Sequence, residues 1–476
     1  MHHPPLMKLA RISFVILLVL PLVLTSHAYA LNAVLASCGW DTNTGWVARE
    51  NAQVGNSNWA TGIPPEYSGD YMTSEKGVTP AWGKGTKKSV EGWLDAPSAT
   101  CGNQIGLHIT GNGRPVKIKI NRATIPGQYL LRLDDGGPDS AFVPLTIVDP
   151  KIKSAITFVS SVLTWQAYNQ WGGYSLYKGP NMTRGSRSTI VSFNRPYDGD
   201  GSGQFRYMEY PILKIAERLG LDMNYITDFE VGRNSDSLKG TGSILYGGHG
   251  EYWTAKMRNV IQGAVDSGIN LVSLGGNAAY AHPRLQANDR QLVMWRSSLA
   301  DPNRNDPVLA TTGWRQIPIS QPESMILGAQ YVGLGVSADY TIPHSNRWPF
   351  TTMTHPALLK SIVGREVDSP LYSIGPAVEV LANAAINFHG KAVTIMATYY
   401  TNAKNAGVID ISTNGWTCAI DDICPWHPQI SNDTQNDARL ITEEILKGLT
   451  KGPLGVWRPA IIDVQARTKM SAVQRI

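Results

Sequence analysis

Three polar loops hold most of the residues that could do chemistry in this chain. The first, after the apolar run Ile156–Leu163, reads Thr164-Trp165-Gln166-Ala167-Tyr168-Asn169 and continues through Trp171 to Tyr177. The second, after Ser243–Tyr246, reads Gly247-Gly248-His249-Gly250-Glu251-Tyr252-Trp253. The third, after Asn270–Leu274, reads Gly275-Gly276-Asn277-Ala278-Ala279-Tyr280. Each preceding run reads as a buried strand. Adjacent parallel strands would bring all three loops to one crevice at their carboxyl ends, where open sheets bind ligands. A glutamate there can hold a metal or act as a base, and a tyrosine can donate a hydrogen bond or ligate as a hard phenolate. Competing readings remain. Glycine turns can simply cap the next helix, Trp165 and Trp171 can pack an interface between domains, and aromatic crevices also bind sugars.

Some chemistry is missing. A strand-to-helix elbow of the glutamine-amidotransferase type would carry a cysteine nucleophile, but the matching elbow here is Gly276-Asn277-Ala278. No GxSxG elbow for a serine hydrolase is present either. Covalent acyl-enzyme chemistry is therefore disfavoured.

The elements that must position these loops follow from the rhythm of the sequence. Residues 31–150 are rich in Gly, Pro, Thr and Trp. They carry short alternating runs such as Gln104–Ile109 and Pro115–Ile120, which indicates a β-sandwich. From about 151 to 450, apolar strand-like runs (Ile156–Leu163, Ser188–Phe193, Ser243–Tyr246, Asn270–Leu274, Ala392–Ala397) alternate with helical segments (Tyr210–Leu219, Ala255–Ser267, Asp437–Leu449). Such alternation predicts an α/β domain with a doubly wound parallel sheet. Residues 300–350 read as a long insertion and 451–476 as a tail.

Residues 1–30 read as a secretory signal, with Lys8 and Arg11 before an apolar stretch and Ala28-Tyr29-Ala30 at the cleavage site. The expectation is a secreted or periplasmic protein with no membrane span after cleavage, and the alternative is that the segment is kept as an uncleaved anchor. Four cysteines suit an oxidising compartment and pair most simply as Cys38–Cys101 and Cys418–Cys424. Losing Lys8 and Arg11 takes the formal charge from +5 to +3, too mild to argue for a nucleic-acid partner.

Several motifs occur in order: Thr164-Trp-Gln-Ala-Tyr168-Asn169, Trp171-Gly-Gly-Tyr-Ser-Leu-Tyr177, Ser192-Phe-Asn-Arg195-Pro-Tyr197, Gly248-His249-Gly-Glu251-Tyr-Trp253, Gly275-Gly-Asn277 and Gly364-Arg-Glu366-Val-Asp368. As an ordered set across about residues 126–450 they resemble the large (beta) subunit family of N,N-dimethylformamidase. The resemblance implies a glutamine-amidotransferase-like α/β domain preceded by a β-sandwich. It also implies a mononuclear iron, held by two tyrosines and a glutamate, that hydrolyses an amide C–N bond. Carried over by position, the glutamate falls on Glu251 and the tyrosines on Tyr168 and Tyr177, with Tyr197 or Tyr207 as alternatives to Tyr177. Asn277 matches a polar active-site position, and Glu366 is the candidate general base. His249 either orients Glu251 from outside the ligand set or is a turn histidine bonded to backbone. The chain departs from dimethylformamidase itself in its signal segment, in a shorter Tyr168–Tyr177 stretch and in Gly250 where proline is expected. The expected partner is a small-molecule amide. The rival is a non-catalytic extracellular protein that binds a carbohydrate or surface ligand.

Overall fold

The computed structural model describes residues 46–53, 90–110, 113–134, 140–151, 153–181, 183–355, 357–370, 374–421, 424 and 430–468. The expected signal segment, Cys38 and residues 54–89 lie outside the described residues. The Cys38–Cys101 pairing and the start of the expected sandwich fall there with them.

A nine-stranded sheet carries the functional loops. Its strands in chain order are β1 (Ser154–Ser160), β2 (Met223–Thr227), β3 (Thr241–Tyr246), β4 (Asn270–Ser273), β5 (Gln330–Thr341), β6 (Leu358–Ser369), β7 (Glu379–Phe388), β8 (Lys391–Thr401) and β9 (Gly407–Asp410). They lie side by side as β6-β5-β7-β8-β9-β4-β3-β1-β2. The run from β2 to β9 is parallel throughout. Strands β2, β4 and β9 are buried along their whole length, as strands covered on both faces must be.

The other half corrects the expectation of a doubly wound, glutamine-amidotransferase-like parallel sheet. Strands β8, β7, β5 and β6 all pair antiparallel, the sheet is therefore mixed, and only 23% of the chain is helical. Ala392–Ala397, expected as a parallel strand, sits inside antiparallel β8. The reason is local. Phe388 pairs with Lys391, so only His389 and Gly390 join β7 to β8, whereas a parallel crossover needs a dozen residues or more. Both turn residues have positive φ, 49° and 78°, the type I′ pattern that matches the strand twist. Gly390→Ala should therefore cost about 1–2 kcal/mol, the left-handed penalty of an L-residue. Its Cβ would meet nothing within 4 Å, so the loss would be conformational rather than steric. An unchanged denaturant midpoint would contradict this turn.

Two further expectations change. The run Ser188–Phe193 gives a short strand, Ile190–Ser192, in a separate sheet with Gln291–Val293 and Arg284–Gln286. The expected insertion at 300–350 contains β5, an inner strand of the main sheet.

The helices that matter for the site are α1 (Val162–Tyr168), α2 (Tyr210–Arg218), α3 (Ala255–Asp266), α4 (Gly415–Asp421) and α5 (Asn432–Leu449). One apolar core joins the sheet to these helices through residues such as Phe158, Ile244, Val272, Ile261 and Ile445. Before β1, two three-stranded sheets drawn from residues 92–148 enclose their own cluster, with Leu107, Ile120, Leu145 and Ile147 buried. The Gln128 amide donates to the Ser160 hydroxyl at the end of β1, which ties these sheets to the main one. After α5 the chain returns to β7, where Val464 and Arg467 bridge Val378 and Gly375. Among the described residues no helix is long and apolar enough to cross a membrane.

Candidate active site

Helix α1 continues directly from β1 and ends on Tyr168. Two buried carboxylates serve its amino end: Glu209 accepts from the Ser161 N–H and Asp228 from the Leu163 N–H, both at 2.8 Å. These take up amides that a helix start leaves without partners. At the other end, Asn169 donates to Gln166 and the Pro196 carbonyl and accepts from the Trp171 and Asp198 amides. All of its polar capacity goes into shaping the loop that leads to Tyr177.

Arg195 lies beneath that loop. Its guanidinium makes six hydrogen bonds: two to Gln166, through Oε1 and the carbonyl, and one each to the carbonyls of Ser192, Trp171, Tyr174 and Asn169. Burial lowers the Arg195 pKa to about 10, while Asp198 nearby opposes the shift.

The second loop leaves β3 through glycines because two backbones meet there. A Cβ on Gly275 would lie 1.7 Å from the Gly248 carbonyl oxygen. This contact carries Glu251 beneath the tyrosines. The Tyr168 hydroxyl donates to Glu251 Oε2 at 2.7 Å, and the Tyr177 hydroxyl lies 2.6 Å from both Glu251 oxygens. The two phenol rings stack with centroids 4.1 Å apart. Tyr252 donates to the Tyr177 hydroxyl at 3.1 Å. Arg296 donates to the Tyr252 hydroxyl at 2.5 Å and covers the Tyr177 ring at 3.9 Å.

Glu366 enters from β6. It accepts from Tyr168 at 3.3 Å and from the Asn414 amide at 3.0 Å. His249 Nε2 lies 2.7 Å from Glu366 Oε2 and 3.5 Å from Glu251 Oε2. The shorter approach is a close polar contact without hydrogen-bond alignment. The His249 Nδ1 atom faces Gln204 Oε1 at 3.3 Å, so both ring nitrogens meet side chains rather than backbone. Asn277 has φ of 60°, and its N–H is held by both Asp368 oxygens at 2.8 and 2.9 Å. Its side-chain amide lies beside Glu366.

The electrostatics separate the two glutamates. Burial and the neighbouring Glu366 raise the Glu251 pKa, with His249 and Arg296 opposing. Burial would raise Glu366 too, but His249 and Arg365 outweigh it and hold this carboxyl down, to about 2. Both phenols titrate well above the ordinary tyrosine range. For Tyr168 the causes are burial, then Glu251 and Glu366; for Tyr177, burial and Glu251 prevail against Arg296.

All six residues singled out in the sequence, Tyr168, Tyr177, His249, Glu251, Asn277 and Glu366, thus gather in one cluster of mutual contacts. The alternative tyrosines do not join them. Tyr197 packs against Trp165, and Tyr207 clusters with Met208, Cys418 and Cys424. The Cys418–Cys424 disulfide is present, with a Cα–Cα distance of 5.2 Å. It braces the segment whose Met208 carbonyl accepts from the Gly248 N–H. Trp171 donates from its indole to Glu91 at 3.1 Å and so reaches the amino-terminal sheets. The sequence alone assigns no part to Tyr252, Arg195, Arg296 or Asn414. Tyr252 and Arg195 lie within the ordered motifs, whereas Arg296 and Asn414 have no local signal.

Residues 113–435 match the family model described as N,N-dimethylformamidase beta subunit-like, C-terminal. The chain belongs to this family. No curated protein matches it. The N,N-dimethylformamidase-like span contains every residue of this cluster, from Tyr168 to Asn414, and the family is named for a hydrolase of an amide C–N bond.

Proposed function

We propose that the protein is an exported hydrolase of an amide C–N bond that works with a mononuclear iron held by Tyr168, Tyr177 and Glu251. The observation carrying this reading is that both phenol oxygens lie within 2.7 Å of the Glu251 carboxylate. Phenolate and carboxylate are hard donors suited to iron(III), whereas zinc more often takes His or Cys. Among the described residues no group of three His, Cys, Asp or Glu side chains is arranged to hold a metal, so a metal here depends on the phenols. Such an ion, when bound, would supply Lewis acidity to the amide carbonyl and to water.

The protein's own groups do the rest. The Glu366–His249 pair takes the proton from the attacking water and returns it to the departing amine nitrogen. Glu366 Oε2 lies 2.7 Å from His249 Nε2, close enough for the two groups to share this proton. Asn277, fixed by Asp368, is placed beside Glu366 to orient the amide. Export rests on the amino-terminal apolar segment and on the Cys418–Cys424 disulfide, a bond that persists in oxidising compartments.

The test is release of free amine and carboxylate from simple formamides. His249→Gln should lower kcat by about 100-fold, the scale of general acid–base catalysis, with iron content retained. Full activity in this variant would remove His249 from proton transfer. Failure of the wild type to cleave any amide would remove the hydrolase reading.

A further inference from the structure

The segment that carries both tyrosines has an unusual charge balance. Residues 150–197 contain six basic side chains, Lys151, Lys153, Lys178, Arg184, Arg187 and Arg195, and no acidic one. Arg195 is consumed by backbone carbonyls, but Arg184 and Arg187 are exposed. The chain folds them back toward the segment carrying Tyr177. The Ser188 N–H donates to the Ser175 carbonyl at 3.0 Å, so the leg ending in Arg187 returns beside the leg carrying Tyr177.

A second element comes to the same place. Val293 pairs with Ile190, and the Met294 N–H donates to the Thr189 carbonyl at 2.8 Å. This ladder brings the segment after Val293, which carries Arg296, beside the segment before Ile190, which carries Arg187. Arg296 also donates to the Leu176 carbonyl at 3.1 Å, next to Tyr177. Arg187 feels Arg296 and Arg184 as like charges, and the Tyr177 and Tyr252 phenols as its other electrostatic neighbours. No ion pair among the described residues involves Arg184, Arg187 or Arg296.

We infer that the rim formed by Arg184, Arg187 and Arg296 selects amides that also carry a carboxylate. The inference rests on the hydrolase reading for the fate of the ligand, but not for its binding. The exposed Arg184 and Arg187 guanidinium groups, backed by Arg296, attract anionic ligands and can grip a carboxylate with two parallel hydrogen bonds. A neutral dialkylamide has nothing for them to hold. The Tyr168 and Tyr177 side chains keep part of their surface exposed while their hydroxyls turn inward onto Glu251.

The experiment is calorimetric binding of two probes of similar size to the full chain, N-formylglycine and neutral N-ethylformamide. N-formylglycine should bind at least about tenfold tighter at low salt, since a charge-assisted hydrogen bond contributes about 1.5–3 kcal/mol. The ratio should fall toward one in Arg184→Ala/Arg187→Ala and also in high salt, which screens exposed charges. A single Arg187→Glu should reverse it. Equal affinity for the two probes, undetectable binding of both included, would overturn the inference. So would a preference that survives the double substitution. If the preference behaves as expected but neither probe is cleaved, the rim stands and the hydrolase reading falls. If both probes are cleaved with equal affinity, the opposite holds.

Discussion

Glu251→Ala should leave the protein folded, empty of iron and inactive. Glu251 is the one carboxylate that both phenols contact, at 2.6–2.7 Å, so its loss takes away the centre of the oxygen set rather than its edge. Two phenols without a carboxylate make a poor site for a trivalent ion, and phenols that titrate this high give up their protons to a metal only with help. With the ion lost, several kcal/mol of Lewis-acid stabilisation are lost too, which at 1.4 kcal/mol per tenfold is at least about 1000-fold in kcat. Folding should survive. The side chain is buried among His249, Arg296 and the phenols, and removing a carboxylate whose pKa is raised by burial and Glu366 relieves repulsion as well as breaking bonds. Metal analysis beside circular dichroism separates the outcomes. Stoichiometric iron in a folded Glu251→Ala variant would mean that the ligand set is elsewhere.

Arg195→Ala should cost more in stability than any other surface-remote polar substitution near the site, about 3–5 kcal/mol. Four carbonyls of the 166–174 loop and the Gln166 side chain depend on this guanidinium, as does the Ser192 carbonyl. Each buried acceptor left without a donor costs about 1–3 kcal/mol, less whatever water recovers at the half-exposed loop. Arg195→Lys should recover little, because one ammonium lacks the planar fork that reaches acceptors on several sides. Since the same loop presents Tyr177, both variants should also bind iron more weakly. A denaturation midpoint close to wild type for Arg195→Ala would show that the loop holds its shape without the clamp.

How much of this could be read beforehand depends on whether the signal was local. The apolar run of β3 followed by Gly247–Glu251 has a local signature, as do the runs of β1 and β4, and the loops after those three strands meet at the cluster around Glu251. The antiparallel half of the sheet departs from the sequence expectation for a physical reason. The region around β5 is dense in Pro, Asn and Gly, and the strand runs on through Gly333 and Gly335, so no clear apolar period marks it. The run in β8 looks the same whether its neighbour is parallel or antiparallel. Only the two-residue His389-Gly390 turn decides between them. The role of Arg195 was illegible because most of its partners are backbone carbonyls, which leave no trace in residue identity. Arg296 arrives from a distant segment and gains meaning only where the register beside Ile190 brings it to Tyr177.

The most direct measurement is the metal content and visible absorption spectrum of the purified wild-type protein, beside those of Tyr177→Phe. The expected result is about one iron per chain, with a tyrosinate-to-iron charge-transfer band that weakens sharply or vanishes in the variant. Wild-type protein that remains free of iron after loading, or a band that Tyr177→Phe leaves unchanged, would contradict the assignment of Tyr168, Tyr177 and Glu251 as the metal's ligands.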